Sequence, residues 1–431
     1  MNKIFKNIIF FTTIALLLYA CSAPQSTIDL APKKSYPFNF SSLYIPLQTD
    51  INPKIKIYNI SSEESLLFYS LTKSDLLKLK QGNSDTVELV IKYVLRKSED
   101  FQIVDSALIQ VLFTLNDSIQ NYVGNLKINS LSKQDSRLIL NIIDKSSKIS
   151  KRLFIYVDSN NEFNSNDFIV YRRTEDDKDE FWFDKYVFSN NIYRIKSNRY
   201  KSNNLLVEYY KFAKYINLPP YYTGAEGVLY KNPDSVFFYK LNDTISFNNE
   251  GIYVFKTRAG ESGIFCLVNF GINYPEIVML KQMLEPIKLL VTNKEFSEIE
   301  KSENLKEGID KFWLSLSKSQ KMAREQIRVF YSRINLANVY FTDFTEGWKT
   351  DRGMLYVILG PPNNVRISKN SEEWFYGENP DIAGVLFVFD RLKNNFGEKV
   401  FVLRRDVNYQ PLWGQALATW RNGRIFSFKI N

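Results

Sequence analysis

The chain has 431 residues and a formal net charge of +9, and 45% of its residues are hydrophobic and 15% aromatic. That length exceeds what one hydrophobic core usually serves, and that composition excludes a disordered chain, so we expect two or three folded domains. The sequence has no histidine, which excludes Ser-His-Asp and Cys-His catalysis and the usual zinc sites. We predict no cofactor, no metal and no nucleic-acid partner, because basic and acidic residues alternate along the chain and no cofactor-binding loop is found.

The N-terminus has the layout of an export signal. Lys3 and Lys6 precede an apolar stretch over residues 8–18 that is too short to span a bilayer comfortably. Ala20 then stands directly before Cys21, one of only two cysteines in the chain. This pattern resembles the lipobox of bacterial lipoproteins. The resemblance implies that residues 1–20 are a signal peptide and that Cys21 carries the lipid.

The residues after Cys21 bear on where such a lipoprotein resides. Residues 21–36 are polar and contain two prolines, which predicts a tether. In the lipoprotein family, an aspartate directly after the cysteine is a common signal for retention at the inner membrane, and Ser22 occupies that position. Residues 22–25 contain no acidic residue of the kind that favours surface display. We therefore expect a lipid anchor at the outer membrane, on its periplasmic face.

Short apolar runs separated by polar turns predict two β-sandwich-like domains, over residues 37–125 and 126–285. The predicted strands cover residues 42–46, 55–58, 66–69, 87–91, 108–113, 138–143, 153–157, 168–171, 205–210, 236–239 and 251–255. With Cys21 lipidated, Cys266 has no disulfide partner. It stands in an apolar run, so a buried and inert thiol is expected.

From residue 286 to residue 431 the pattern predicts an α+β domain. Thr292 to Glu295 forms a capping box, and apolar residues at helical spacing follow over residues 305–316 and 327–341. Four strands are then predicted at residues 354–359, 373–376, 385–389 and 400–403. The predicted fold class is thus mainly β with an α+β C-terminal module made of helices and a small antiparallel sheet.

Residues 347–353 read Gly-Trp-Lys-Thr-Asp-Arg-Gly, and Gly360-Pro361-Pro362 follows. This signature resembles the GWxTD domain, which occurs in exported and often lipidated bacterial envelope proteins. The resemblance covers residues 286–405. It includes Arg333, Asn338, Phe341, Trp374, Tyr376, Asp390 and Arg391. The family implies no particular reaction, so the residues are interpreted physically.

The favoured interpretation of this signature is structural. Gly347 and Gly353 can adopt positive φ and permit a tight connection from helix to strand, and Trp348 fills the gap between helices and sheet. Thr350 belongs to the same structural set. The charged members, Asp351, Arg352, Arg333, Asp390 and Arg391, are expected to form a partly buried ion-pair network.

The competing interpretation is an active site in which Asp351 and Glu373 are paired carboxylates and Arg352 is an anion clamp. Arginines beside the aspartates would lower the carboxyl pKa values, which suits a structural pair better than a general acid.

Two functions follow from these observations. The first is a non-enzymatic outer-membrane lipoprotein that acts as a protein-interaction or accessory subunit of a cell-envelope assembly or export complex. The alternative is a glycan-binding lipoprotein or a carboxylate-dependent polysaccharide hydrolase. In that case Tyr221, Tyr222 and Trp413 would be stacking platforms beside Asp351 or Glu373.

Overall fold

The structure is a computed structural model, and it describes residues 39–46, 51–61, 63–80, 82, 85–129, 135–157, 163–200, 202, 204–213, 218–224, 230, 232–258, 261, 263–379, 383–394 and 396–428. Within these residues, 19 strands form five antiparallel sheets, and seven α-helices lie mainly in the C-terminal part. The prediction of a mainly β fold with an α+β C-terminal module is therefore confirmed. The predicted signal peptide, Cys21 and the tether lie outside the described residues.

The first two sheets enclose one hydrophobic core. The elements are β1 (Lys54–Asn59), β2 (Glu64–Thr72), α1 (Lys73–Leu79), β3 (Thr86–Lys97), β4 (Ile103–Thr114), β5 (Asn121–Asn129), β6 (Ser136–Asp144) and β7 (Ser150–Val157). One sheet has the order β1-β2-β5 and the other β4-β3-β6-β7. Leu67 and Leu71 of the first sheet are buried with Leu89 and Leu140 of the second. Alternation of apolar and polar residues along β3 gives that strand one core-facing side.

This arrangement differs from the predicted boundary between residues 125 and 126. That boundary falls inside β5, and β6 pairs with β3 along nine residues from Leu89 to Lys97. The four-stranded sheet therefore continues to Val157, because β6 and β7 complete the same core.

A second pair of sheets follows. Its strands are β8 (Ile169–Arg173), β9 (Asp179–Trp182), β10 (Ile192–Lys196), β11 (Asn204–Tyr210), β12 (Ser235–Lys240), β13 (Thr244–Ser246), β14 (Gly251–Lys256) and β15 (Phe265–Asn269). Their orders are β13-β10-β8-β9 and β12-β11-β14-β15. Phe168 and Tyr193 pack with Val207 and Phe255 between the two sheets. Cys266 is buried, as predicted, and burial raises the pKa of its thiol well above the ordinary value.

The C-terminal part packs helices against the last sheet. Its elements are α2 (Leu280–Leu284), α3 (Asn293–Glu300), α4 (Leu305–Leu316), α5 (Gln320–Phe341), α6 (Asp351–Leu359), β16 (Asn364–Ile367), β17 (Ser371–Asn379), β18 (Ala383–Lys393), β19 (Lys399–Leu403) and α7 (Gln410–Arg421). The sheet has the order β16-β17-β18-β19. The capping box predicted at Thr292 and Glu295 is confirmed at the start of α3. Trp313, Trp374 and Trp420 are fully buried in this core.

Two predicted strands are wrong. Residues 354–359 form most of α6, which begins after Thr350 and ends before Gly360 at φ +87°. Every residue from Gly353 to Leu359 is buried, and an apolar run without polar positions has the same pattern in a strand and in a buried helix. The strand predicted at residues 42–46 is also wrong, because the chain makes a 3₁₀ turn at Ser41–Leu43 and buries Phe40 and Tyr44 in the C-terminal core.

Among the described helices, none is both long enough and apolar enough to cross a membrane.

Candidate functional site

The GWxTD motif, residues 347–353, connects α5 to α6 and is packed against backbone on both sides. A Cβ on Gly347 would overlap the carbonyl oxygen of Ala337, and a Cβ on Gly353 would overlap that of Gly347. Neither glycine has a positive φ. The prediction that they supply left-handed backbone is therefore wrong, and close approach between chain segments explains both glycines.

Polar side chains of the motif are satisfied within the fold. The Thr350 hydroxyl donates to the Gly347 carbonyl at 2.7 Å and accepts from the Gly353 amide at 3.0 Å, which makes it the N-cap of α6. Asn338 on α5 accepts from the Trp348 amide at 3.2 Å and donates to the Pro275 carbonyl at 2.9 Å. The Trp348 ring is buried in the C-terminal core. These contacts fix the entry of the chain into α6.

The charged residues of the predicted network pair with residues outside it. Asp351 pairs with Arg405 at 2.5 Å. Asp390 pairs with Arg404 at 2.6 Å. The predicted partners are therefore wrong, since the sequence gives no sign of which arginine the fold brings to each carboxylate.

Two of the predicted arginines have other neighbours. Arg333 donates to the carbonyl oxygens of Val357 at 3.0 Å and Phe426 at 2.9 Å, which ties α5 to α6 and to the chain end. The Arg391 guanidinium lies 4.0 Å from the centre of the Tyr156 ring.

The pKa of the Asp351 carboxyl also differs from the prediction that neighbouring arginines lower it. Burial raises the pKa of its carboxyl, although Arg405 and the Leu403 amide act in the opposite direction. Arg405 in turn donates to the Leu218 and Pro219 carbonyls at 2.9 and 2.7 Å. Asp351 thus fixes an arginine that holds the 218–219 loop of the second β part against the C-terminal part.

Glu372, rather than Glu373, is the buried carboxylate of β17. It is 1% exposed, and Arg352 donates to it at 3.1 Å. The Tyr44 hydroxyl and the Trp374 indole N–H donate to its other oxygen at 2.7 and 2.6 Å. Sequence reasoning missed this residue, yet the signal was present. Successive residues of a strand face opposite sides, so the side that holds Trp374 also holds Glu372.

The aromatic residues of the glycan hypothesis differ in their exposure to solvent. Trp413 is 3% exposed inside the C-terminal core, and Tyr221 packs against that core as well. Tyr222 is half-exposed. Trp413 therefore offers no stacking platform.

Arg352 and Glu372 reach one of two neighbouring cavities at the junction of the three parts, and we call the two together the junction cavity and each of them a lobe. Its larger lobe has a volume of about 730 Å³ and its smaller lobe about 300 Å³. Tyr156, Phe183, Asp184 and Lys185 line both lobes. The larger lobe also meets Asn338 and Tyr44. The junction cavity therefore joins the motif to residues of both β parts.

The described lining of the junction cavity is predominantly cationic. Eight basic and three acidic side chains line its two lobes, namely Lys54, Lys56, Lys151, Lys185, Arg352, Arg391, Lys393 and Lys399 against Asp184, Glu372 and Glu398. Lys185 pairs with Glu398 at 2.7 Å. Beside them, burial raises the pKa of Asp343 to about 6, while Lys185 and Arg352 act to lower it. Of these residues, sequence reasoning singled out only Arg352 and Arg391.

The charged lining of the junction cavity can bind a ligand through charge. In the described part of the chain, no group of three or more Cys, Asp or Glu side chains is arranged to hold a metal ion. The carboxylates Asp351, Glu372 and Glu398 are each paired with a basic side chain. An excess of cations in a partly enclosed space favours an anionic ligand.

Comparison with known proteins identifies one part of the chain. Residues 251–422 match the family model of the GWxTD domain. The match includes the motif, helices α2–α7, the last sheet, and also β14 and β15 of the preceding β part. None of the curated proteins matches the chain. The resemblance seen over residues 286–405 is confirmed, and this chain contains a GWxTD domain at residues 251–422.

Proposed function

We propose that the chain is a non-catalytic protein-interaction subunit of a cell-envelope assembly or export complex. In this proposal a lipid on Cys21 holds it at the outer membrane, on the periplasmic face. The observation that carries the proposal is the apolar, exposed edge strand β12.

β12 lies at one end of the sheet β12-β11-β14-β15 and pairs with β11 alone among the described strands. Its first four residues, Ser235–Phe238, are exposed one after another. Val236 is 52% and Phe238 77% exposed. Because neighbouring residues of a strand face opposite sides, both faces of the strand present apolar groups to solvent.

Such an edge is normally protected. Soluble proteins place charged residues, prolines or bulges on edge strands, because unpaired backbone groups there attract another strand. Residues 235–239 read Ser-Val-Phe-Phe-Tyr and contain neither a charge nor a proline, and the one charged residue of the strand, Lys240, stands at its end. This edge suits β-augmentation, in which an extended segment of a partner adds a strand and its side chains pack on the flanking apolar residues.

The internal pairing of the motif supports a non-catalytic role. Asp351 and Glu372 are each held by an arginine and by further hydrogen-bond donors within the fold. Both carboxylates are thus engaged in hydrogen bonds and ion pairs that hold the fold together.

A site-specific photo-crosslinker tests the interaction. The crosslinking amino acid replaces Phe238 in the full chain in intact cells, and the matched control replaces Val407, which is 61% exposed in the GWxTD domain. We expect one discrete crosslinked partner from position 238 and none from position 407. The partner should co-purify with the parent chain and be lost from Phe238→Lys but not from Val407→Lys. The same products from both positions would contradict the proposal.

The anchoring is tested separately. Cys21→Ser should release the chain from the membrane fraction, and protease added to intact cells should leave the parent chain whole. Degradation in intact cells would contradict the periplasmic placement while leaving the interaction test unaffected.

A further inference from the structure

We propose that the smaller lobe of the junction cavity binds a small molecule that carries a phosphate or carboxylate group, with Lys56 as the main contact of that anion and Trp182 and Phe183 beside its apolar part. This inference rests on the lining of the lobe and is independent of the interaction proposed for β12.

The smaller lobe has more basic than acidic groups. Its described lining contains five basic side chains and two acidic ones, namely Lys56, Lys185, Arg391, Lys393 and Lys399 against Asp184 and Glu398. Both acidic groups are already paired, Asp184 with Lys54 at 2.5 Å and Glu398 with Lys185 at 2.7 Å. Lys399 has a further acidic partner, Asp135, at 3.4 Å. Basic side chains still outnumber acidic ones within the lining of the lobe.

Lys56 is the group whose charge the fold compensates least. Its ammonium donates to the Ser165 carbonyl at 2.8 Å. Among the described residues, no carboxylate oxygen lies within 4 Å of it. The charged groups that act on it are Lys185, Glu398 and Asp167. Burial and the repulsion from Lys185 lower the pKa of Lys56 to about 8.

The carboxylates around Lys56 serve other partners. Asp167 is fully buried, pairs with Arg199 at 2.6 Å and accepts from the Asn59 side chain at 3.0 Å. Its second oxygen accepts from the Asn164 amide at 2.8 Å. Glu398 is held by Lys185. The charged form of a lysine is destabilised in a partly enclosed space where its partner is a carbonyl oxygen. A bound anion would stabilise that charged form, and such perturbed groups are typical of binding sites.

The dimensions of the lobe limit the ligand. A volume of about 300 Å³ lies at the lower end of ligand pockets in proteins. The walls include Trp182, Phe183 and Phe168, which offer apolar surface next to the basic groups. The lobe therefore suits a compact anion with a flat or short apolar part rather than a polymer.

Calorimetric titration of the full chain in detergent micelles tests this inference. The probes are phenyl phosphate, benzoate, inorganic phosphate and phenol, so that the anion and the ring are varied separately. We expect phenyl phosphate or benzoate to bind, inorganic phosphate to bind more weakly, and phenol not to bind. The stronger of the first two distinguishes a phosphate ligand from a carboxylate ligand.

Two variants locate the binding. Lys56→Met should weaken binding at least tenfold, whereas Lys92→Met, at an exposed lysine on β3, should leave it unchanged. Lys56→Met should also melt at the same temperature as the parent or higher at pH 7, because an uncompensated charge is removed. Failure of all four probes to bind, or equal affinity in Lys56→Met, would overturn the proposal.

A measurement on the unaltered chain covers the case in which Lys56→Met fails to fold. Lysine acetylation is followed by mass spectrometry with and without the bound probe. We expect the probe to slow modification of Lys56 at least fivefold and not that of Lys92. Equal protection of the two lysines, or protection of neither, would place the anion elsewhere and overturn the proposal.

Discussion

The GWxTD motif and the smaller lobe of the junction cavity both contain charged side chains, but they differ in how far those charges are compensated by opposite charges. In the motif, each buried charge has a counter-charge, as in Arg352 with Glu372 and Asp351 with Arg405. In the lobe, basic groups exceed acidic ones and Lys56 has a carbonyl oxygen as its partner. A buried pair leaves an uncompensated charge when one partner is removed, whereas an excess of one sign attracts ligands of the opposite charge.

The contrast indicates that the residues of the GWxTD motif and the residues proposed to bind a ligand have different roles. Gly347, Thr350 and Gly353 position α6 against α5, and Asp351 fixes Arg405 against the 218–219 loop. The junction cavity then forms where the GWxTD domain meets the β parts before it. Residues that identify the domain therefore act as its framework, and the smaller lobe is lined by residues outside the signature.

The largest effect is expected from breaking a buried pair of the motif. Arg352→Met leaves Glu372 buried without its counter-charge, and removal of one partner of a buried ion pair costs about 3–5 kcal/mol. Urea unfolding of the variant measures the loss. The control is Arg352→Met combined with Glu372→Gln, which removes both charges and should lose less than half as much. Equal losses in the single and double variants would contradict the assigned pairing.

The next effect concerns Asp343, which interacts electrostatically with Lys185 of the cavity and Arg352 of the motif. Its folded pKa of about 6 exceeds the ordinary 3.8 because of burial, so the unfolded chain releases the proton first as pH rises. Stability should therefore fall between about pH 4 and pH 6 and remain lower above it.

Asp343→Asn removes that cost and retains an acceptor for the Thr345 amide, which now donates to Asp343 at 2.9 Å. We expect the variant to gain up to about 3 kcal/mol at pH 7 and nothing below pH 4. Denaturant unfolding across this pH range measures the difference. A gain that does not vary with pH would show that Asp343 is not the titrating group.

The sequence predicted local features well because local chemistry determines them. The alternation of apolar and polar residues predicted β3, and the Thr292 capping box predicted the start of α3. By contrast, α6 is buried on all sides, so its sequence lacks the polar positions that distinguish a helix from a strand. Long-range contacts escaped prediction for a different reason. Tyr44 and Glu372 lie 328 residues apart in the sequence, and no local pattern connects them.

A smaller effect is expected at the helix cap inside the motif. Thr350→Ala removes the hydroxyl that accepts from the Gly353 amide and donates to the Gly347 carbonyl. Loss of an N-cap costs about 1 kcal/mol, within a range of 0.5–2 kcal/mol. Thr350→Ser keeps both hydrogen bonds and should restore most of the stability in thermal unfolding. If the serine variant is as unstable as the alanine variant, packing of the methyl group rather than capping explains Thr350.

The smallest effect tests whether burial decides how a charge pair of this domain behaves. Asp390 and Arg404 form two hydrogen bonds at 2.6 and 2.7 Å, and these lower the pKa of Asp390. The Arg404 side chain is 62% exposed, against 15% for Arg352. Exposed pairs contribute about 0–1 kcal/mol. Asp390→Asn should therefore lose less than about 1 kcal/mol at neutral pH, less still in high salt, and nothing at a pH well below the lowered folded pKa, where the Asp390 carboxyl is protonated in both the folded and the unfolded chain. A loss as large as that of Arg352→Met would mean that pairing itself, and not its burial, stabilises the GWxTD domain.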